Sequence, residues 1–136
     1  MPIAHLIITP VYAGLTALLL VCTSIFVTMG RVKYKVNLGD GGNAALLLRI
    51  RVQGNLVEYA PLALILMGLL EMGGTAAWVL HTLGIAFIAG RLLHAFAVYQ
   101  GPKPGAARGI GTTATWLVIL AGGVLALGLS QGMVLK

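Results

Sequence analysis

The most chemically loaded stretch of the sequence reads Arg51-Val52-Gln53-Gly54-Asn55-Leu56-Val57-Glu58-Tyr59-Ala60-Pro61. At helical spacing Arg51, Asn55 and Glu58 share one face, with Tyr59 at its edge. Gln53 and Arg49 project in a second direction, toward another element or a neighbouring subunit. A cation, an amide and an anion in one row suit a zwitterionic ligand that carries carboxylates and an ammonium group. Arginine grips a carboxylate in bidentate fashion. Glutamate then takes the ammonium, and the amides hold peptide groups. Packing between apolar helices alone needs far fewer polar side chains. Pro61 lies one turn further along and is expected to open space there by kinking the helix.

A second group is Arg91-Leu92-Leu93-His94, in which Arg91 and His94 share a face three residues apart. Glu58 and Arg91 each lie about nine or ten residues into an apolar helix, or ~13–15 Å deep at 1.5 Å per residue. Equal depth makes them expected partners. Ionisable groups at such depth are costly and point to function, although a buried pair that only sets helix register is the competing reading. Glu71 falls at a helix end, where water is expected to reach it. His5 and His81 have no polar company and read as interfacial, and Trp78 and Trp116 read as belt anchors. Cys22 sits in an apolar run and is expected to be a buried small hydrophobe. No His, Cys, Asp or Glu cluster has metal-ligand spacing. No serine-centred triad, phosphate loop or nucleic-acid motif is present.

The elements that must position these groups are membrane spans. Of 136 residues, 59% are hydrophobic and 9% charged, against roughly 45–50% and 25% in soluble domains. Mean hydropathy is +0.98. This excludes a disordered chain, a disulfide scaffold and nearly all soluble enzymes. Charge-poor runs long enough to cross a bilayer predict an all-α integral membrane protein, a four-transmembrane-helix bundle with spans near residues 4–29, 48–71, 76–99 and 113–133. These fill the chain as one domain, 1–136. Between them lie a turn-rich loop around Gly39-Asp40-Gly41-Gly42-Asn43, a hairpin at Met72-Gly73-Gly74-Thr75, and a loop from Gly101 to Gly111 with Pro102 and Pro104. Arg31, Lys33, Lys35, Arg49, Arg51, Lys103 and Arg108, seven of nine basic residues, flank the two long loops. The positive-inside rule puts those loops in the cytoplasm and both termini outside.

The helix-two pattern Arg51-x-Gln53-x-Asn55-x-x-Glu58-Tyr59-x-Pro61 resembles the signature of the MAPEG family, the membrane-associated proteins in eicosanoid and glutathione metabolism. The four-span layout, the short hairpin and Arg91-x-x-His94 agree with it, over essentially the whole chain. Gly39-Asp40-Gly41-Gly42 and Arg91-Leu92-Leu93-His94 look most like the short bacterial branch, small inner-membrane proteins. The resemblance implies a homotrimer with glutathione sites between adjacent subunits, open to the cytoplasm. It implies that Arg51, Asn55, Glu58 and Tyr59 bind glutathione, with Gln53 donated across the interface and Arg31 contributing from the end of helix one. On helix three it implies Arg91, His94 and, displaced by one residue, Tyr99. Family members with defined synthase activity carry a tyrosine where this chain has Val98, and an arginine at the start of helix four, for which Arg108 is the counterpart.

The implied chemistry is glutathione transfer or peroxide reduction. Glutathione is the co-substrate, and Arg108 is the catalytic cation that stabilises its thiolate. The acceptor is a lipophilic electrophile or hydroperoxide entering from the lipid bilayer. Two other readings remain: a glutathione- or lipid-binding membrane protein without catalysis, and a small four-helix drug exporter driven through an intramembrane glutamate. Glutathione-dependent activity in detergent distinguishes the enzyme. Substrate flux across vesicles without conjugation distinguishes the exporter.

Overall fold

A computed structural model describes residues 6–100 and 106–132. It contains α1 (Thr9–Tyr34), α2 (Ala44–Met72), α3 (Ala77–Tyr99) and α4 (Ala106–Ser130). Each helix is long and apolar enough to span a membrane. The expected starts of helix one at residues 4–5 and the expected end of helix four at 133 lie outside the described residues. α3 packs most extensively on α4 and α1 on α2, while α1 and α4 do not meet. Tyr12, Leu56, Met67, Leu80 and Phe87 form the middle of the core. Leu18, Trp78, Ile85, Leu120 and Leu127 are exposed on the outside, the apolar surface that lipid requires. Cys22 also faces outward, which corrects the expectation that it is buried.

Helix ends depart from the expected spans for local reasons. α1 begins at Thr9 with Pro10 in its first turn, where the missing N–H goes unneeded. It runs on to Tyr34, because Arg31 and Lys33 in the last turn favour the negative end of the helix dipole. It stops at Lys35, in the left-handed region at φ 56°, where Val36 N–H donates to the Arg31 carbonyl over 3.0 Å. α2 starts four residues before expectation, because Asn43 caps it by accepting from Leu46 N–H at 3.0 Å. α2 continues through Pro61. The proline's missing N–H leaves the Val57 carbonyl without its helical donor.

α4 begins at Ala106, seven residues before the expected start at 113. The glycines at 109 and 111 read as loop because isolated glycine disfavours a helix. Packing reverses that preference. A Cβ built on Gly111 would lie 2.6 Å from the Gly90 carbonyl oxygen and 2.7 Å from His94 N. α3 and α4 therefore touch backbone to backbone at the end bearing the long loops. Gly111→Ala is expected to separate them and to destabilise the protein by about 1–3 kcal/mol, the range for overpacking. Thermal unfolding in detergent checks this, with Gly109→Ala, where a Cβ meets nothing within 4 Å, as the neutral control.

The hairpin end is fastened by Glu71. Its carboxylate accepts from the N–H groups of Ile7, Ile8 and Thr9 at 2.6, 2.6 and 2.7 Å. Ile8 supplies no side-chain cap to α1, so a carboxylate from α2 satisfies the open donors instead. Glu71 stays partly exposed, so the expected access to water holds alongside these bonds. Hydrogen bonds to a charged group contribute ~1.5–3 kcal/mol, so Glu71→Ala is expected to lower stability by about 2 kcal/mol, read as a fall in the unfolding midpoint. His81 is likewise not solitary. Its Nδ1 lies 2.8 Å from the buried Tyr12 hydroxyl, and the rings meet edge-on at 5.9 Å.

Candidate functional site

The polar residues of α2 divide between two sides of the helix, as their spacing requires. Arg51 and Glu58 are exposed on the outside of the bundle, and Asn55 and Tyr59 are half-buried beside them. Among the described residues no ion pair engages Glu58. The expected Glu58–Arg91 partnership does not form. Equal depth fixes position along a helix but not rotation about it, and Arg91 turns inward toward Asn55.

Arg91 is 3% exposed. Its Nη1 donates to the Asn55 side-chain oxygen and, over 3.4 Å, to the Asn55 carbonyl. Its Nη2 donates to the Gly111 carbonyl at 3.1 Å. The guanidinium also lies over the Tyr59 ring, 5.6 Å from its centroid, a favourable cation–π geometry. One buried arginine thus joins α2, α3 and α4. These bonds tie Arg91 to Asn55 and Gly111, so it positions Asn55 and Tyr59, and Nη2 keeps a second N–H beyond the one given to Gly111. Because the Asn55 oxygen faces Arg91, its NH2 is left as the donor for something outside.

The bond to Gly111 matters for Arg108. Both lie in the first turns of α4, and the early start of this helix places Arg108 inside it. Thr112 donates back to the Arg108 carbonyl at 3.1 Å, so Arg108 stands on a regular helix and not on a loop. His94, 5% exposed, lies one turn from Arg91 on the same face of α3.

The remaining candidates gather on the α1 side. Gln53 donates to the Ser24 hydroxyl of α1 at 2.7 Å. Arg31 donates to the carbonyls of Asn37 and Gly39, at 3.2 and 2.9 Å, and so braces the loop between α1 and α2. Tyr99 packs on Phe26 of α1, with ring centroids 5.7 Å apart. Arg49, which the sequence set beside Gln53, donates to the Phe26 carbonyl at 2.8 Å. Val98, where synthases of the resembled family carry tyrosine, is buried at 1% exposure. Sequence reasoning missed the Gly111 carbonyl and Ser24 as partners. The small residues at 90 and 111 were the available sign that α3 and α4 approach closely there.

Comparison with known proteins identifies the family. A family model described as "MAPEG family" matches residues 9–128, which span all the groups described above except Ile7 and Ile8. The chain is 41% identical over 113 residues to the inner membrane protein YecN of Escherichia coli K12, covering 83% of this chain and 85% of that protein. YecN of Escherichia coli O6:H1 matches to the same extent. With the helix-two signature, the four spans and a match over most of its length, the chain belongs to the MAPEG family.

Proposed function

We propose that this chain is an inner-membrane glutathione-binding protein that activates the glutathione thiol for attack on a lipophilic electrophile or hydroperoxide. The observation that carries the reading is the outer face of α2. It presents Arg51 and Glu58 exposed, unpaired with each other, on a helix apolar enough to span a membrane. Bare opposite charges on such a helix are costly unless something meets them. Glutathione has the complementary groups: two carboxylates, one ammonium and two peptide units. Arg51 grips a carboxylate, Glu58 takes the ammonium, and the Asn55 NH2 donates to a peptide carbonyl.

Arg108 supplies the reactive end. A thiolate beside its guanidinium gains a charge-assisted hydrogen bond. The thiolate then adds to an electrophilic carbon. A sulfur–carbon bond forms, and the displaced electron pair leaves with the leaving group or takes a proton from water. The acceptor dissolves in the bilayer while glutathione comes from the aqueous side with the long loops, which the positive-inside rule makes the cytoplasm.

Gln53 and Tyr99 engage α1, and Arg31 engages the loop after it, whereas Glu58 bonds with none of them. A homotrimer accounts for this split, because each copy then lends its α1 side to its neighbour's site. α1 and α4 do not meet within one chain, so a lipophilic acceptor passing between them needs two copies. Family membership counts against the exporter reading. The buried Val98 favours one further reading, a member that binds glutathione without completing catalysis. Calorimetry of the purified protein with glutathione, followed by stopped-flow absorbance for thiolate, separates the cases. Binding with thiolate formation supports the enzyme. Binding without it supports the non-catalytic member. No binding overturns both.

A further inference from the structure

Of the three nitrogens of Arg91, Nη1 and Nη2 donate to Asn55 and Gly111, but Nε is buried and has no acceptor. A buried donor on a permanently charged group destabilises strongly when left unmet. Arg91 lines a small cavity with Leu19, Thr23, Val52, Leu56 and His94, at the junction of α1, α2 and α3. Its free volume, about 10 Å³, admits one water and little else. Two of its other walls are polar and nearly closed off, with Thr23 at 4% and His94 at 5% exposure. The Thr23 hydroxyl donates to the Leu19 and Leu20 carbonyls, each at 3.0 Å, which leaves its oxygen as an acceptor. The His94 ring makes no hydrogen bond with the described residues.

We infer that a single structural water is bound in this cavity. It accepts from Arg91 Nε–H and donates to Thr23 Oγ1 and to the unprotonated imidazole nitrogen of His94. Three partners are typical for a buried water. An anion fits less well, because it would face the Thr23 oxygen, whose proton is already committed to the α1 backbone. The water bridges α1 to the arginine that organises α2, α3 and α4, and it selects one tautomer of His94. This site is independent of the glutathione reading.

Proton-detected solid-state NMR of the full chain in lipid bilayers tests it. The Arg91 Hε signal is assigned by its loss in Arg91→Lys. The wild-type signal is expected to show a cross-peak to long-lived water. Ala95→Val, which fills the cavity lined by Ala95, is expected to abolish that cross-peak. Thr23→Val, which keeps the shape but removes the acceptor, is expected to weaken it. A wild-type Hε without a water cross-peak overturns the inference even if both variants fail to fold. So does an Ala95→Val protein whose cross-peak is unchanged, or an Hε shift that follows chloride concentration, which places an anion there instead.

Discussion

Arg108→Ala is expected to leave glutathione affinity nearly unchanged while removing most of the thiolate. In the proposed reading Arg108 meets the sulfur, and Arg51 and Glu58 hold the carboxylates and ammonium of glutathione. An opposite charge in contact shifts an acid's pKa by about 1–3 units. A free thiol titrates near ~8.5, so loss of the cation cuts the thiolate fraction at neutral pH by roughly eight- to thirtyfold, the upper bound being set by complete ionisation. Conjugation rate follows thiolate fraction. Stopped-flow thiolate absorbance and calorimetry on the same preparation read the two effects apart. Unchanged thiolate absorbance in Arg108→Ala ends the assignment of this residue to the sulfur. Arg108→Lys retains the charge without the planar fork and is expected to recover part of the signal.

Glu58→Gln is expected to be the most damaging single change for binding. Replacing the carboxylate removes a charge-assisted contact to the ammonium, worth ~1.5–3 kcal/mol, or roughly 10- to 150-fold in Kd. Folding should suffer little, since Glu58 is exposed and forms no ion pair among the described residues. Glu71→Gln is the matched control. That glutamate lies at the C-terminal end of α2, away from the mid-helix Glu58, and serves the start of α1. It should leave glutathione affinity unchanged. Equal losses in the two variants would take the outer row of α2 out of the site.

The spans were legible because a bilayer needs long charge-poor runs, and these survive in one sequence without knowledge of packing. The division of α2 into two polar directions was legible for a similar reason: spacing within one helix is set by geometry. What could not be read was which partner each direction meets. Arg91 and Asn55 are 36 residues apart in sequence, and nothing local favours Asn55 over Glu58, three residues on. The start of α4 was obscured by Pro102, Pro104 and two glycines. Gly111 there reflects contact with α3 rather than a loop. Glu71 looked like a helix-end charge because its partners precede it by more than sixty residues.

That last contact bears on the order of biogenesis. The donors at the head of α1 are made first, whereas their acceptor is the penultimate residue of α2, which ends at Met72. While the chain is being synthesised, the leading turn of α1 has no carboxylate to close it. It gains one only when the second helix is complete and its far end has arrived alongside. The first two helices are thereby locked in vertical register as a pair, so the hairpin they form is the smallest unit of this protein that can settle in the bilayer with its ends satisfied.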